Sequence, residues 1–148
     1  MIHEAPSRPT ITVRAGDAPQ IEGFLAERIY EYNVAATGYH DAESFNAVHE
    51  SESGAVDAGV CGYTLGGCCY VSYLWVSEAS RGKGLGTELL AAVESHALEK
   101  RCRVIFLSSH SFQAPGFYAR RGYEQVARFI DHPVGHSSLF YSKRLEVT

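Results

Sequence analysis

Cationic side chains are scarce in this chain of 148 residues: 13 lysines and arginines face 17 aspartates and glutamates, a formal net charge of -4 with histidine neutral. That balance argues against a nucleic-acid-binding surface and mildly favours cationic or neutral substrates. Long apolar runs are missing as well. The longest apolar-rich stretch, Cys68 to Val76, is far short of the ~20 residues that a membrane-crossing helix needs, so no membrane role is indicated. The opening Met1 to Pro9 has two prolines and no apolar run. It resembles neither a signal nor a transit peptide and reads as a flexible arm, which makes a cytoplasmic protein the expectation. The four cysteines, Cys61, Cys68, Cys69 and Cys102, lack any Cys-x-x-Cys spacing and lie in apolar segments, where buried free thiols are expected. A zinc site from Cys68, Cys69 and His49 is the weaker reading, because neighbours on a strand point to opposite faces. Neither an internal repeat nor a low-complexity stretch occurs.

What is present is a composition, 45% apolar over the 148 residues, that reads as one domain spanning residues 10–148. Thr10 to Arg14 alternates and reads as a first strand. Asp17 then reads as a helix cap with Pro19 in the first turn, and Ile21, Leu25, Ile29 and Tyr32 form a stripe that predicts a buried helix face ending near Asn33. A loop follows over Val34 to Glu43. Phe45–Glu50, Val56–Tyr63 and Cys68–Val76 read as a three-strand meander. The stretch from Thr87 to Lys100 is amphipathic and helical, its stripe carrying Leu89, Val93 and Ala97. Arg103–Ser108, with four consecutive apolar residues, predicts a strand covered on both faces. A short helix near Phe112, stopped by Gly122, precedes two closing strands, Glu124–Ile130 and Ser138–Leu145.

Between the third meander strand and the long helix stands Arg81-Gly82-Lys83-Gly84-Leu85-Gly86. Glycines let a backbone pass close to a ligand, and the first N–H groups of a helix have no internal acceptors, so the segment suits a pyrophosphate. A P-loop does not fit, because the lysine lies between the glycines and no Lys-Ser/Thr pair opens the helix. A dinucleotide fingerprint fails too, since the spacing is Gly-x-Gly-x-Gly and the turn falls past the middle of the chain. Arg-x-x-Gly-x-Gly after a strand ending Leu74-Trp75-Val76 resembles the acetyl-CoA-binding signature of the GNAT superfamily of N-acetyltransferases.

A second motif carries the same resemblance. Phe117-Tyr118 followed by Gly122-Tyr123 is similar to that family's apolar residue and tyrosine on the last helix with Gly-aromatic opening the next strand, and Ser111 and Ala114 fall where the family often has Asn and Ala. The resemblance runs from about Thr10 to the end of the chain. It implies an α/β, mixed α+β GNAT fold: a mostly antiparallel sheet whose fourth and fifth strands splay apart, with helices on both faces. It also implies acetyl-CoA as co-substrate, with no metal. By transfer of the motif, Leu74, Trp75 and Val76 would pair with the pantetheine arm, and the pyrophosphate would sit on the N–H groups of Arg81, Gly82, Lys83, Gly84, Leu85, Gly86 and Thr87, with Ser111 adding a contact. Trp75 has a plainer reading as a core side chain.

Acetyl transfer to an amine needs donors at the carbonyl oxygen, a path for the amine proton and a proton for the departing thiolate. Tyr118 is the general acid that the motif implies, and a phenol with a reference pKa of about 10 keeps its proton at neutral pH. Some GNAT enzymes carry a glutamate early in the fourth strand. Here Cys68-Cys69-Tyr70-Val71-Ser72 has no carboxylate, which leaves water, His40, Asp41 or His110 as open alternatives for the base. The acceptor would meet Tyr30, Asn33, Tyr39, His40 and the Asp131–His136 turn, with Glu27 and Glu31 suiting a small amine. A protein lysine or N-terminus is the competing acceptor, and a non-catalytic acyl-CoA sensor the competing class. The final strand offers an edge for a homodimer.

Overall fold

The computed structural model describes residues 11–146. They fall into two compact units that meet in sequence at Gly38 and Tyr39. The expected N-terminal arm and Thr10 lie outside the described residues.

The first unit is one helix, α1 (Pro19–Thr37). Proline opens it, as its fixed φ allows, but Ala18 and not Asp17 is the cap residue, with no side-chain hydrogen bond. The helix runs four residues past Asn33 and stops where Gly38 turns left-handed, its N–H returning to the Val34 carbonyl. Ile21, Leu25, Ile29 and Tyr32 keep their helical spacing yet are all exposed. A stripe is buried only by a partner, and this unit has no second element among the described residues. Residues 11–14 form no strand, and Ile11 and Val13 are exposed. Two alternating apolar residues cannot hold a strand without a neighbour to complete its ladder.

The second unit is a six-stranded sheet in the order β1-β2-β3-β4-β6-β5, formed by β1 (Glu43–Glu50), β2 (Val56–Leu65), β3 (Cys68–Val76), β4 (Val104–His110), β5 (Glu124–Ile130) and β6 (Ser137–Arg144). Helix α2 (Leu85–Glu99) follows β3, and α3 (Pro115–Ala119) follows β4. All neighbouring strands run antiparallel except β3 and β4, which are parallel. Helix α2 lays Leu89, Leu90, Val93 and Ala97 on β1, β2 and β3. The core gathers there with Ala58, Val60, Cys69, Val71, Ile105 and Leu107.

Strand β4 alternates: Ile105, Leu107 and Ser109 are buried, while Phe106 is 38% exposed. Within this unit its apolar run is therefore covered on one face. The open face carries an aromatic ladder in which Tyr70 lies 5.3 Å from Tyr63 and 4.7 Å from Phe106, centroid to centroid. Strand β6 sits between β4 and β5, so the edge expected of the last strand is taken up internally. No helix among the described residues is long and apolar enough to cross a membrane.

Candidate functional site

The joint between β3 and β4 is short. Only Cys68–Val71 and Val104–Leu107 pair, and beyond them the strands part. The parting coincides with a bulge: Gly62 faces Val71 and Cys61 faces Tyr73, so Ser72 is an extra residue on β3. The bulge keeps β3 on β2 while turning its far half from β4. Side chains there follow the pleat, and Trp75 is half exposed, not core.

A cleft of about 930 Å³ opens at this point. It is lined by Leu74, Trp75 and Val76 on one wall, by Ser108 and Ser109 on the other, and by Arg81, Gly82, Gly84, Leu85, Gly86 and Thr87 at its end. Tyr118 lines it as well. The sequence motifs, forty residues apart in places, thus meet around one space. Lys83 and Ser111 lie outside the lining. Ser111 ties its loop to β6, its N–H donating to the Ser137 carbonyl at 2.8 Å and its Oγ accepting the Ser137 N–H at 3.1 Å.

The glycine turn has the geometry of an anion cradle. Gly82 and Gly84 have φ of +75° and +86°, and nothing stands within 4 Å of where their Cβ atoms would be. The left-handed backbone favours glycine at both positions, and the open space leaves room for a ligand to approach. Gly84 caps α2 with no side-chain hydrogen bond, leaving the first N–H groups of that helix directed outward at the positive end of its dipole. Arg81 folds back, its Nε donating to the Val76 carbonyl at 3.3 Å.

Arg121, which the motifs did not single out, completes this end. Its guanidinium lies 3.8 Å over the Phe117 ring and donates to the Phe117 carbonyl at 2.7 Å. Its Nε donates to Thr87 Oγ1 at 3.0 Å, and Nη2 reaches the same oxygen. Arg120 and Arg121 both line the cleft, adding the positive charge that a phosphorylated ligand needs. Their position between Phe117-Tyr118 and Gly122-Tyr123 was the available signal.

Tyr118 is 7% exposed and packs among Phe117, Tyr123 and Tyr141, with ring centroids 5.0, 5.9 and 5.4 Å away. Burial, and then the neighbouring Tyr141, raise its pKa above the ordinary phenol value. The hydroxyl therefore keeps its proton throughout the neutral range. Gln113 Oε1 accepts from Ser109 Oγ at 3.1 Å and from the His110 N–H at 2.8 Å, fixing the loop before α3.

The other residues expected at the acceptor side make contacts within their own units. Glu27 and Glu31 flank Arg28 on α1 at 3.2 and 2.9 Å. Asp41 Oδ1 accepts the Gly66 N–H at 3.0 Å. His110 shares Ser138 Oγ with His132, at 3.1 and 2.7 Å. Cys69 and Cys102 are buried free thiols, and Cys61 and Cys68 are partly buried. No three His, Cys, Asp or Glu side chains among the described residues are grouped to hold a metal.

The sheet is thus split at its one parallel joint, with a glycine turn and a helix N-terminus at the opening. The profile of the acetyltransferase (GNAT) family matches residues 13–123, and the chain belongs to that family. It is similar to an acetyltransferase of Agrobacterium fabrum, 28% identical over 84% of this chain and 91% of that one. It is also similar to the blasticidin-S acetyltransferase of Streptomyces morookaense, 38% identical over 64% of this chain and 70% of the other. Among solved structures, an acetyltransferase from Bacillus cereus superposes with a TM-score of 0.79 at 35% identity, covering 91% of this chain and 98% of that one.

Proposed function

We propose that this acetyltransferase moves the acetyl group of acetyl-CoA to a primary amine of a small molecule, by direct attack within a ternary complex. The observation that carries the reading is the cleft itself: it begins where β3 and β4 part and joins the glycine turn to Tyr118 in one lining. The diphosphate would rest on the N–H groups from Arg81 to Thr87, beside Arg121. The pantetheine arm would lie along Leu74, Trp75 and Val76, whose edge facing β4 is unpaired.

The amine nitrogen attacks the acetyl carbonyl carbon, the C–N bond forms, and the C–S bond breaks. Tyr118 gives its proton to the departing sulfur and recovers one from solvent, which also takes the proton that the nitrogen loses. The antibiotic in the name of the Streptomyces relative supports a small-molecule acceptor over a protein lysine or N-terminus. A cytoplasmic setting fits the supply of acetyl-CoA.

Calorimetry of acetyl-CoA binding, followed by free-thiol release against small amines and basic peptides, tests this reading. Binding with release driven by small amines is expected. Release driven by peptides alone would reassign the acceptor, binding with no release would leave a sensor, and absence of binding would remove the donor. Tyr118→Phe should lower kcat by about 10²-fold or more with the acetyl-CoA KM unchanged. An unaltered kcat, with chemistry rate-limiting, would return Tyr118 to the core.

A further inference from the structure

Strand β2 has an irregularity of its own at its start. His49 of β1 faces Ala58 and Glu50 faces Val56, so Asp57 is an extra, bulged residue. A bulge frees a residue from the ladder and re-aims its side chain. Here the freed residue is a carboxylate on an otherwise largely apolar strand, and all of its acceptors are engaged. The Asp57 carbonyl accepts the Ser77 N–H at 2.7 Å. Its Oδ2 accepts the Ser80 hydroxyl at 2.8 Å, and its Oδ1 meets His49 Nδ1 at 2.5 Å. Ser80 is 6% exposed, lines the cleft and directly precedes Arg81 and the glycine turn. A short 3-10 turn over Glu78–Ser80, capped by Ser77, joins the two anchored serines, with Ser80 N donating to the Ser77 carbonyl at 3.0 Å.

We infer that Asp57 is a positioning residue for the acyl-donor site: through Ser80 it holds the β3–α2 loop so that the N–H groups of the glycine turn are already aimed at a diphosphate. A carboxylate near an anion site opposes binding unless its charge is occupied elsewhere, and both of its oxygens are occupied. The gain is preorganisation, because a loop fixed before binding loses less entropy on binding. A hydrogen bond to a charged group holds more firmly than a neutral one. The inference rests on the reading that this cleft takes a coenzyme-A thioester.

The test uses the full chain and coenzyme A as probe. Asp57→Ala should weaken coenzyme-A binding by about tenfold, the worth of one hydrogen bond to a charged group. The acetyl-CoA KM should rise in step, with kcat at saturation within about twofold. In the ligand-free protein, amide exchange at residues 77–84 should quicken while the strands keep their protection. Ser80→Ala should reproduce these effects, the double variant should add nothing further, and Asp57→Asn, which retains an acceptor for Ser80, should restore most of the affinity. Unchanged affinity and loop exchange in Ser80→Ala would overturn the inference, even if Asp57→Ala failed to fold. A wild-type chain that bound no coenzyme A would remove the donor reading and this inference together. Wild-type binding with no loss in either alanine variant would remove this inference alone.

Discussion

A methyl group at Gly86 would lie 2.9 Å from Phe117 Cζ and 3.1 Å from Cε2, whereas one at Gly84 would meet nothing within 4 Å. The two glycines in one motif therefore answer to different constraints. Gly84 is held by its left-handed φ, which costs a side-chain-bearing residue about 1 kcal/mol or more, and Gly86 by the aromatic ring seated on it. Gly86→Ala should push Phe117 aside, and with it the Arg121 guanidinium stacked on that ring. The expected result is a several-fold rise in the acetyl-CoA KM, measured by thiol release, with partial recovery when Phe117→Leu is added. The glycines were legible from spacing alone, but the ring that makes Gly86 necessary was not, since it arrives from 31 positions downstream. Ser111, whose place in the motif suggests a ligand contact, is tied to β6 through Ser137, a link that spacing could not show.

Elements with a strong period were the ones that sequence could place. Helix α2 buries Leu90 to 1% and Val93 to 2% exposure, as its stripe requires. Leu90→Ala should lower stability by about 2–5 kcal/mol, read from urea unfolding, with coenzyme-A affinity preserved in the folded fraction. Strand β4 was placed correctly, but a run of four apolar residues cannot say whether one face or two are covered. Residues 11–14 and the α1 stripe had the right pattern, but pattern does not supply a partner. The bulges at Asp57 and Ser72 had no sequence signal at all. Both arise from mismatched register between strands, which no local window contains; Ser72 lines the cleft, and Asp57 accepts a hydrogen bond from Ser80, which lines it too.

On the scale of the whole molecule, burial and then the nearby thiols Cys102 and Cys68 push the Cys69 thiol up to about 12. The folded state thus holds a proton that the unfolded chain releases near the ordinary thiol value of about 8.5. The sign follows directly: this contribution is complete below that value and is lost as pH climbs through about 12. Urea midpoints should stay flat through neutral pH and decline in alkali, and Cys69→Ala should shallow the decline. A slope indifferent to that substitution would place the alkaline loss elsewhere.

The sheet order puts three strands on either side of the β3–β4 joint, and four residue pairs alone bind the two halves edge to edge. Mechanically this is a pair of leaves sharing a short hinge, with backbone groups left open along the rest of the fold line. The pantetheine arm proposed for that gap would stand in for the missing length of ladder. Stiffness across the midline would then rise and fall with each catalytic cycle, the molecule being most rigid when loaded and softest just after it has released its thiol.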